Sequence, residues 1–238
     1  MTRILKCLGL AICMAAIAAV VTPAAQAQTG AVTTPLYPSI LTAQQQGGVT
    51  FDIGEAPNWA VTCSSNLEAT LTAATDPVTF TPTYANCSAD PGLTPVTVTL
   101  NGCDYTIGVS KPGTTGQPVT TGALQASIDC PVGQQIEIHV YQDAFSHALN
   151  ISTCTYDIAP QGPVPAGTYH NTSVGIPDVD LTVNARFTAR STIGAGFLPC
   201  GGDPITQHLP VTLTGTYTVR AFDDLNGVEG PQIPVDVG

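Results

Sequence analysis

The side chains able to do chemistry in this chain are few and widely spaced. The histidines are His139, His147, His170 and His208. None forms the H-x-H or H-E-x-x-H spacing that brings two imidazoles to one zinc ion. A serine hydrolase usually shows its nucleophile on a Gly-rich elbow, G-x-S-x-G, and no such run occurs. Asp178 and Asp180 share a face if their segment is extended, and a carboxylate pair is the machinery of glycoside hydrolysis. Two acids at a strand start are more simply a solvated turn. The most site-like segment is Asp223-Asp224-Leu225-Asn226-Gly227-Val228-Glu229. Asp223, Asp224, Asn226 and Glu229 could offer oxygens to Ca²⁺. The run lacks the full alternation of an EF-hand loop, and Asn-Gly between strands is a hairpin signal, so a hairpin turn is the preferred reading. No cofactor motif is present, and none is expected.

The elements that would position these residues are read from the cysteines and the hydrophobic pattern. Cys7 and Cys13 lie in an apolar leader; Cys63, Cys87, Cys103, Cys130, Cys154 and Cys200 follow it. An even number of cysteines in an exported chain implies disulfides, which also argues against a cysteine nucleophile. Zinc ligation would want close C-x-x-C pairs, and the nearest cysteines are 16 positions apart. Six cysteines allow 15 connectivities. Linking successive strands suggests Cys87–Cys103 and Cys130–Cys154, which leaves Cys63–Cys200 to clamp an early strand to a late one.

The leader has the marks of an export signal. Arg3 and Lys6 precede the uncharged apolar stretch Cys7 to Val21, Pro23 breaks it, and Ala25-Gln26-Ala27 is a small-x-small cleavage pattern. At about 15 residues the stretch is shorter than the roughly 20 a spanning helix needs. Residues 1–27 therefore read as a cleaved signal, the chain as secreted, and no stable membrane anchor is expected. Cleavage after Ala27 takes Lys plus Arg from 6 to 4 against 17 Asp plus Glu, a net charge of about −13. That charge repels phosphate backbones and anionic lipid, so nucleic acid is excluded as a partner.

Residues 28–47, with Gln44-Gln45-Gln46, read as a flexible N-terminal arm. From Val49 onward, two-residue alternation recurs, as at Ile136, Ile138, Val140 and again at Val211, Leu213, Gly215, Tyr217, Val219, Ala221. Thr fills the intervening positions, as suits a solvated strand face. Asp143 to Leu149 could form one helical turn. Turns every 8–15 residues or so match a sandwich or barrel. The expected fold is all-β, an antiparallel β-sandwich or barrel-like domain over 48–238, stapled by disulfides. It could be two fused sheets dividing near 111–122, because Pro95 to Ile107 faintly echoes Pro210 to Val219. Trp59, the single tryptophan, is expected in the core rather than on a sugar platform. Asn150-Ile-Ser and Asn171-Thr-Ser match the glycosylation acceptor, a triplet common by chance. The T-x-T runs at Thr79, Thr97 and Thr214 lack the fixed period of an ice-binding array.

The series V-T-C at Cys63, T-P-T-Y-A-N-C at Cys87, N-G-C-D-Y at Cys103, D-C-P at Cys130 and T-G-T-Y-T-V at Thr214 resembles a family of uncharacterised secreted bacterial disulfide-containing β-proteins. The resemblance covers about residues 58–238. Its motifs are framework motifs, so it implies a fold and no activity.

These readings predict a secreted, non-enzymatic β-protein that binds an extracellular or envelope ligand or serves as a structural component. The alternatives are a secreted hydrolase, for instance glycan-directed, and an inhibitor of extracellular enzymes presenting the loop Lys111 to Gly122. A hydrolase predicts paired carboxylates, or His near a hydroxyl, in a deep pocket.

Overall fold

A computed structural model describes residues 28–54, 59–90, 94–111, 121–172, 178–193, 207–224 and 229–237. The export signal assigned to residues 1–27 lies outside them. The chain is nearly all strand. In order these are β1 (Gln28–Thr29), β2 (Val32–Thr33), β3 (Ser39–Gln45), β4 (Val49–Ile53), β5 (Trp59–Leu71), β6 (Val78–Asp90), β7 (Thr94–Thr99) and β8 (Asp104–Lys111). They continue as β9 (Thr121–Asp129), β10 (Ile136–Val140), β11 (Cys154–Ile158), β12 (Gln161–Asn171), β13 (Val179–Ile193), β14 (Gln207–Asp224), β15 (Glu229–Ile233) and β16 (Asp236–Val237). The one helix described, α1 (Ala144–Ala148), is a single turn.

The pairing register shows an up-and-down barrel. β3 and β4 are one interrupted line, because both pair β14 on one side and β5 on the other without changing direction. β7 with β8, β9 with β10, and β11 with β12 are interrupted lines of the same kind. β5, β6, β13 and β14 run unbroken, so eight antiparallel lines follow in chain order. β14 closes the circuit by pairing both β13 and the β3–β4 line. Closure pairs the eight lines around the wall, and among the described residues the short strands β1, beside β8, and β15, beside β14, end the sheet. The stretch 111–122 joins the neighbouring strands β8 and β9, so it does not divide two sheets. Residues 39–45, read as part of a flexible arm, are instead a strand of the wall. Ser39, Leu41 and Ala43 point inward and are fully buried, whereas glutamine at the following positions suits the wet face and the strand's end.

One inner face runs around the barrel. Phe51, Val61, Ile138, Tyr156, Phe187 and Val211 pack it toward the end that carries α1. Leu41, Phe80, Ile107, Leu124, Leu181 and Val219 pack it toward the other. Burial of this kind contributes roughly 25 cal/mol per Å² of apolar surface removed from water. Outward positions are Thr, Ser, Asn, Glu and Arg, as along Thr182, Asn184, Arg186 and Thr188. A barrel in a bilayer carries the reverse arrangement, apolar outside. No helix among the described residues is long and apolar enough to cross a membrane.

Among the described residues the interior is packed with apolar side chains. An apolar void of about 20 Å³ remains beneath Val32, Val235 and Val237, which close one end through the short pairing of β2 with β16. That is roughly room for one water and none for a ligand. Midway along the barrel the Tyr84 hydroxyl donates to Tyr105 at 2.9 Å and Tyr217 donates to Ser65 at 3.2 Å. Burial is the main reason these phenols sit above their ordinary range, Tyr217 at about 12.

Two disulfides staple this waist. They link Cys63 to Cys87 and Cys103 to Cys130. The pairings Cys63–Cys200, Cys87–Cys103 and Cys130–Cys154 are therefore corrected. Cys154 is also disulfide-bonded, to a partner outside the described residues. Cys63 and Cys87 face each other across the β5–β6 hairpin, and Cys103 and Cys130 meet across the adjoining β7–β8 and β9–β10 lines, so neither Cys87–Cys103 nor Cys130–Cys154 can form. Cys63 faces the irregularity in the β5–β6 ladder around Asn86, whose φ is 51°. Cys103 and Cys130 stand at the breaks in the β7–β8 and β9–β10 lines, so their bridge ties two interrupted strands side by side. At the first break Asn101 and Gly102 both take positive φ, 52° and 78°, the conformation these residue types permit at least cost.

Candidate binding site on the outer wall

The wall has one ladder gap that local sequence explains. β11 pairs β13 as far as Asp157 opposite Arg190, and β12 takes over only at Gly167 opposite Val183. Between them the chain reads Ala159-Pro-Gln-Gly-Pro-Val-Pro-Ala166. Three prolines supply no N–H to a ladder. The Gln161 carboxamide bridges the gap: its Oε1 accepts from the Thr188 N–H at 2.8 Å and its Nε2 donates to the Thr188 carbonyl at 2.8 Å. The same Nε2 also reaches the Ala159 carbonyl at 3.1 Å, which fixes the side chain.

This gap leaves a groove of about 510 Å³ lined by Gln135, Asp157, Ala159, Pro160, Gln161, Thr188, Ala189 and Arg190. Its volume is that of a small-molecule site. One bank carries an unusual charge arrangement. Glu137 lies directly opposite Asp157 across β10 and β11, and Arg190 lies opposite Asp157 on the other side. Like charges directly opposite destabilise a sheet. Burial first, and the Glu137 charge second, raise the Asp157 carboxyl above its ordinary value. A hydrogen bond from Gln135 and the charges of Arg190 and His139 oppose that shift.

Next to it runs a hydrogen-bonded row. Thr155 Oγ1 lies 3.2 Å from His139 Nδ1, and His139 Nε2 lies 3.1 Å from Glu137 Oε2. A neutral imidazole here donates from Nε2 to the carboxylate and accepts the threonine proton at Nδ1. That is the order of a hydroxyl–imidazole–carboxylate relay. An acyl-transfer site also needs backbone N–H groups aimed at a developing oxyanion. Thr155 sits inside a strand paired on both edges, opposite His139 and Thr192, so its neighbours' amides belong to ladders. What the surface offers is a rigid set of donors and acceptors beside a groove.

The other candidates of the sequence fall elsewhere. Asp178 is held by Arg220 Nε at 3.3 Å and by Gln232 Nε2 at 2.8 Å, and Asp180 accepts from Thr218 at 2.7 Å, so both acids serve as ties between elements. Asp223, Asp224 and Glu229 belong to a β14–β15 hairpin in which Asp224 pairs Glu229; Asn226 lies outside the described residues. No group of three or more His, Cys, Asp or Glu converges on a metal position among the described residues. The inhibitor-type loop is outside them from 112 to 120, as is the Trp59 side chain. His147 binds Thr97 at 3.3 Å and stacks edge-on against Tyr141. With Asp143 capping α1 through Ser146, these contacts fix the excursion that leaves Phe145 73% exposed. Gln135, Glu137, Asp157, Gln161 and Arg190 were not singled out from sequence. The available signal was the spacing of Pro160, Pro163 and Pro165, which marks a stretch unable to complete a ladder.

Compared with protein-family models, with curated proteins and with solved structures, the chain matches none.

Proposed function

We propose that the chain is an exported, disulfide-stapled barrel that acts outside the cytoplasm by binding through its outer wall, as a recognition or structural component of the envelope or its surroundings. The observation that carries this reading is the contrast between inside and outside. Among the described residues the interior leaves an apolar void of about 20 Å³, too small for a ligand, whereas the wall carries a groove of about 510 Å³. Export is supported by the leader pattern and by disulfides, which persist in oxidising compartments. The test is co-sedimentation of the processed protein with the envelope fraction of the cells that produce it. Ala159→Trp fills the groove from an exposed position and is expected to abolish sedimentation while leaving the melting temperature unchanged. Equal sedimentation of parent and variant refutes the groove as the binding site.

A second reading, an exported hydrolase, draws on the Thr155–His139–Glu137 row. It is checked with chromogenic ester and glycoside substrates; turnover lost in His139→Ala would establish it.

A further inference from the structure

We infer that the outward face of β13 is a track for an uncharged, polyhydroxylated polymer, a glycan strand, that spans two depressions in the wall. This rests on the outer-wall reading above and names its ligand class. The second depression, of about 390 Å³, lies where β13, β14 and the interruption of the β3–β4 line meet. Thr182, Asn184, Thr214 and Thr216 line it together with Gly48 and Gly215. The floors of the two depressions, Val183 and Ala189, are six residues apart on β13, about 20 Å at roughly 3.4 Å per residue. Between them Asn184, Arg186 and Thr188 all face outward and are exposed.

The chemistry of the track selects the ligand. Sugar hydroxyls donate and accept at once, and the track pairs both roles along its length. Thr182, Thr214 and Thr216 can do either, Asn184 does both, Arg186 and Arg190 only donate, and the Asp157 carboxylate only accepts. Arg186 makes no ion pair among the described residues, so its guanidinium is available. A strongly anionic polymer would meet Asp157, Glu137 and Asp180; a strongly cationic one would meet Arg186 and Arg190. No aromatic platform lines either depression. Affinity therefore rests on hydrogen bonds exchanged with water, with Kd on the order of 0.1–1 mM.

Binding this weak is measured by affinity gel electrophoresis of the processed full chain. The probes are laminarin, hydroxyethylcellulose, xylan and dextran, with alginate as an acidic polysaccharide and oligolysine as a cationic polymer. Retardation by at least one neutral polysaccharide is expected. The Asn184→Ala/Thr214→Ala and Arg186→Ala variants are each expected to weaken it at least about fivefold, the worth of one net hydrogen bond. Thr79→Ala/Thr81→Ala, on the outward face of β6, is expected to change nothing. No retardation by any neutral polysaccharide, retardation by alginate or oligolysine alone, or unchanged retardation in the track variants overturns the inference. If Ala159→Trp still abolishes envelope sedimentation in that case, outer-wall recognition stands and only the glycan assignment falls.

Discussion

Replacing Cys103 and Cys130 together by alanine tests how this barrel holds its waist. The bridge closes a loop of sequence separation 27. Chain-entropy arithmetic for a loop of that length gives about 3.5 kcal/mol of stabilisation at 25 °C. The Cys63–Cys87 loop, of separation 24, gives about the same. The two loops do not overlap in sequence, so each constrains a different part of the unfolded chain and their effects should add to about 7 kcal/mol. For a domain of this size 1 kcal/mol moves the melting temperature by about 2–4 °C, so one pair should lower it by about 7–14 °C. The assay is thermal and denaturant melting of the parent, each double-alanine variant and the quadruple variant, followed by circular dichroism. A fall below about 3 °C for one pair, or a quadruple variant no less stable than either double, would refute the account. Non-reducing peptide mapping of the parent supplies the connectivity independently. It should return Cys63–Cys87 and Cys103–Cys130, and a chain cleaved after Ala27 then leaves Cys200 for Cys154.

The remaining predictions concern single side chains. Asp157→Asn should raise stability at pH 7. The parent carboxyl has a raised folded pKa, so its contribution is fully present below the unfolded value and is lost as pH rises through the folded one. The advantage of the variant should therefore vanish toward pH 3, and NMR titration of Asp157 in Glu137→Gln should show a lower midpoint. Gln161→Ala removes both partners of the Thr188 backbone and should cost about 1–2 kcal/mol, with faster hydrogen exchange at the Thr188 amide. Tyr156→Phe should cost nothing or stabilise slightly, because the buried Tyr156 hydroxyl has no partner among the described residues, whereas Tyr217→Phe loses its bond to Ser65 and should cost about 1 kcal/mol. Phe51→Ala should cost about 3–5 kcal/mol in chemical denaturation, since its ring is fully buried against Tyr84.

The fold class was legible because the inner face obeys a period of two over long stretches. Val211, Leu213, Tyr217, Val219 and Ala221 are buried as that period demands, and so are Ile136, Ile138 and Val140. Legibility failed where a strand is built from residues that also suit loops. Ser39 to Gln45 offers only Leu41 and Ala43 inside, with Ser39 beside them, and ends in glutamines. Gln45 is nevertheless a ladder residue twice over, since its side chain accepts from the Ser65 N–H at 2.7 Å. The candidate site was illegible for a related reason. Gln135, Asp157, Gln161 and Arg190 come from the β9–β10 connection, β11, the start of β12 and β13, and only Gln161, among the prolines, has a local mark. They meet because lines six and seven of the wall separate where prolines withhold their N–H groups. The same separation explains the groove on this face. Here Gln161 replaces a stretch of backbone ladder with one carboxamide. The prolines cost the barrel several ladder bonds that Gln161 only partly restores, and the cross-strand pair of Glu137 and Asp157 on the bank adds a like-charge penalty. Two local costs at one place are the reason the proposed binding reading is placed at this groove.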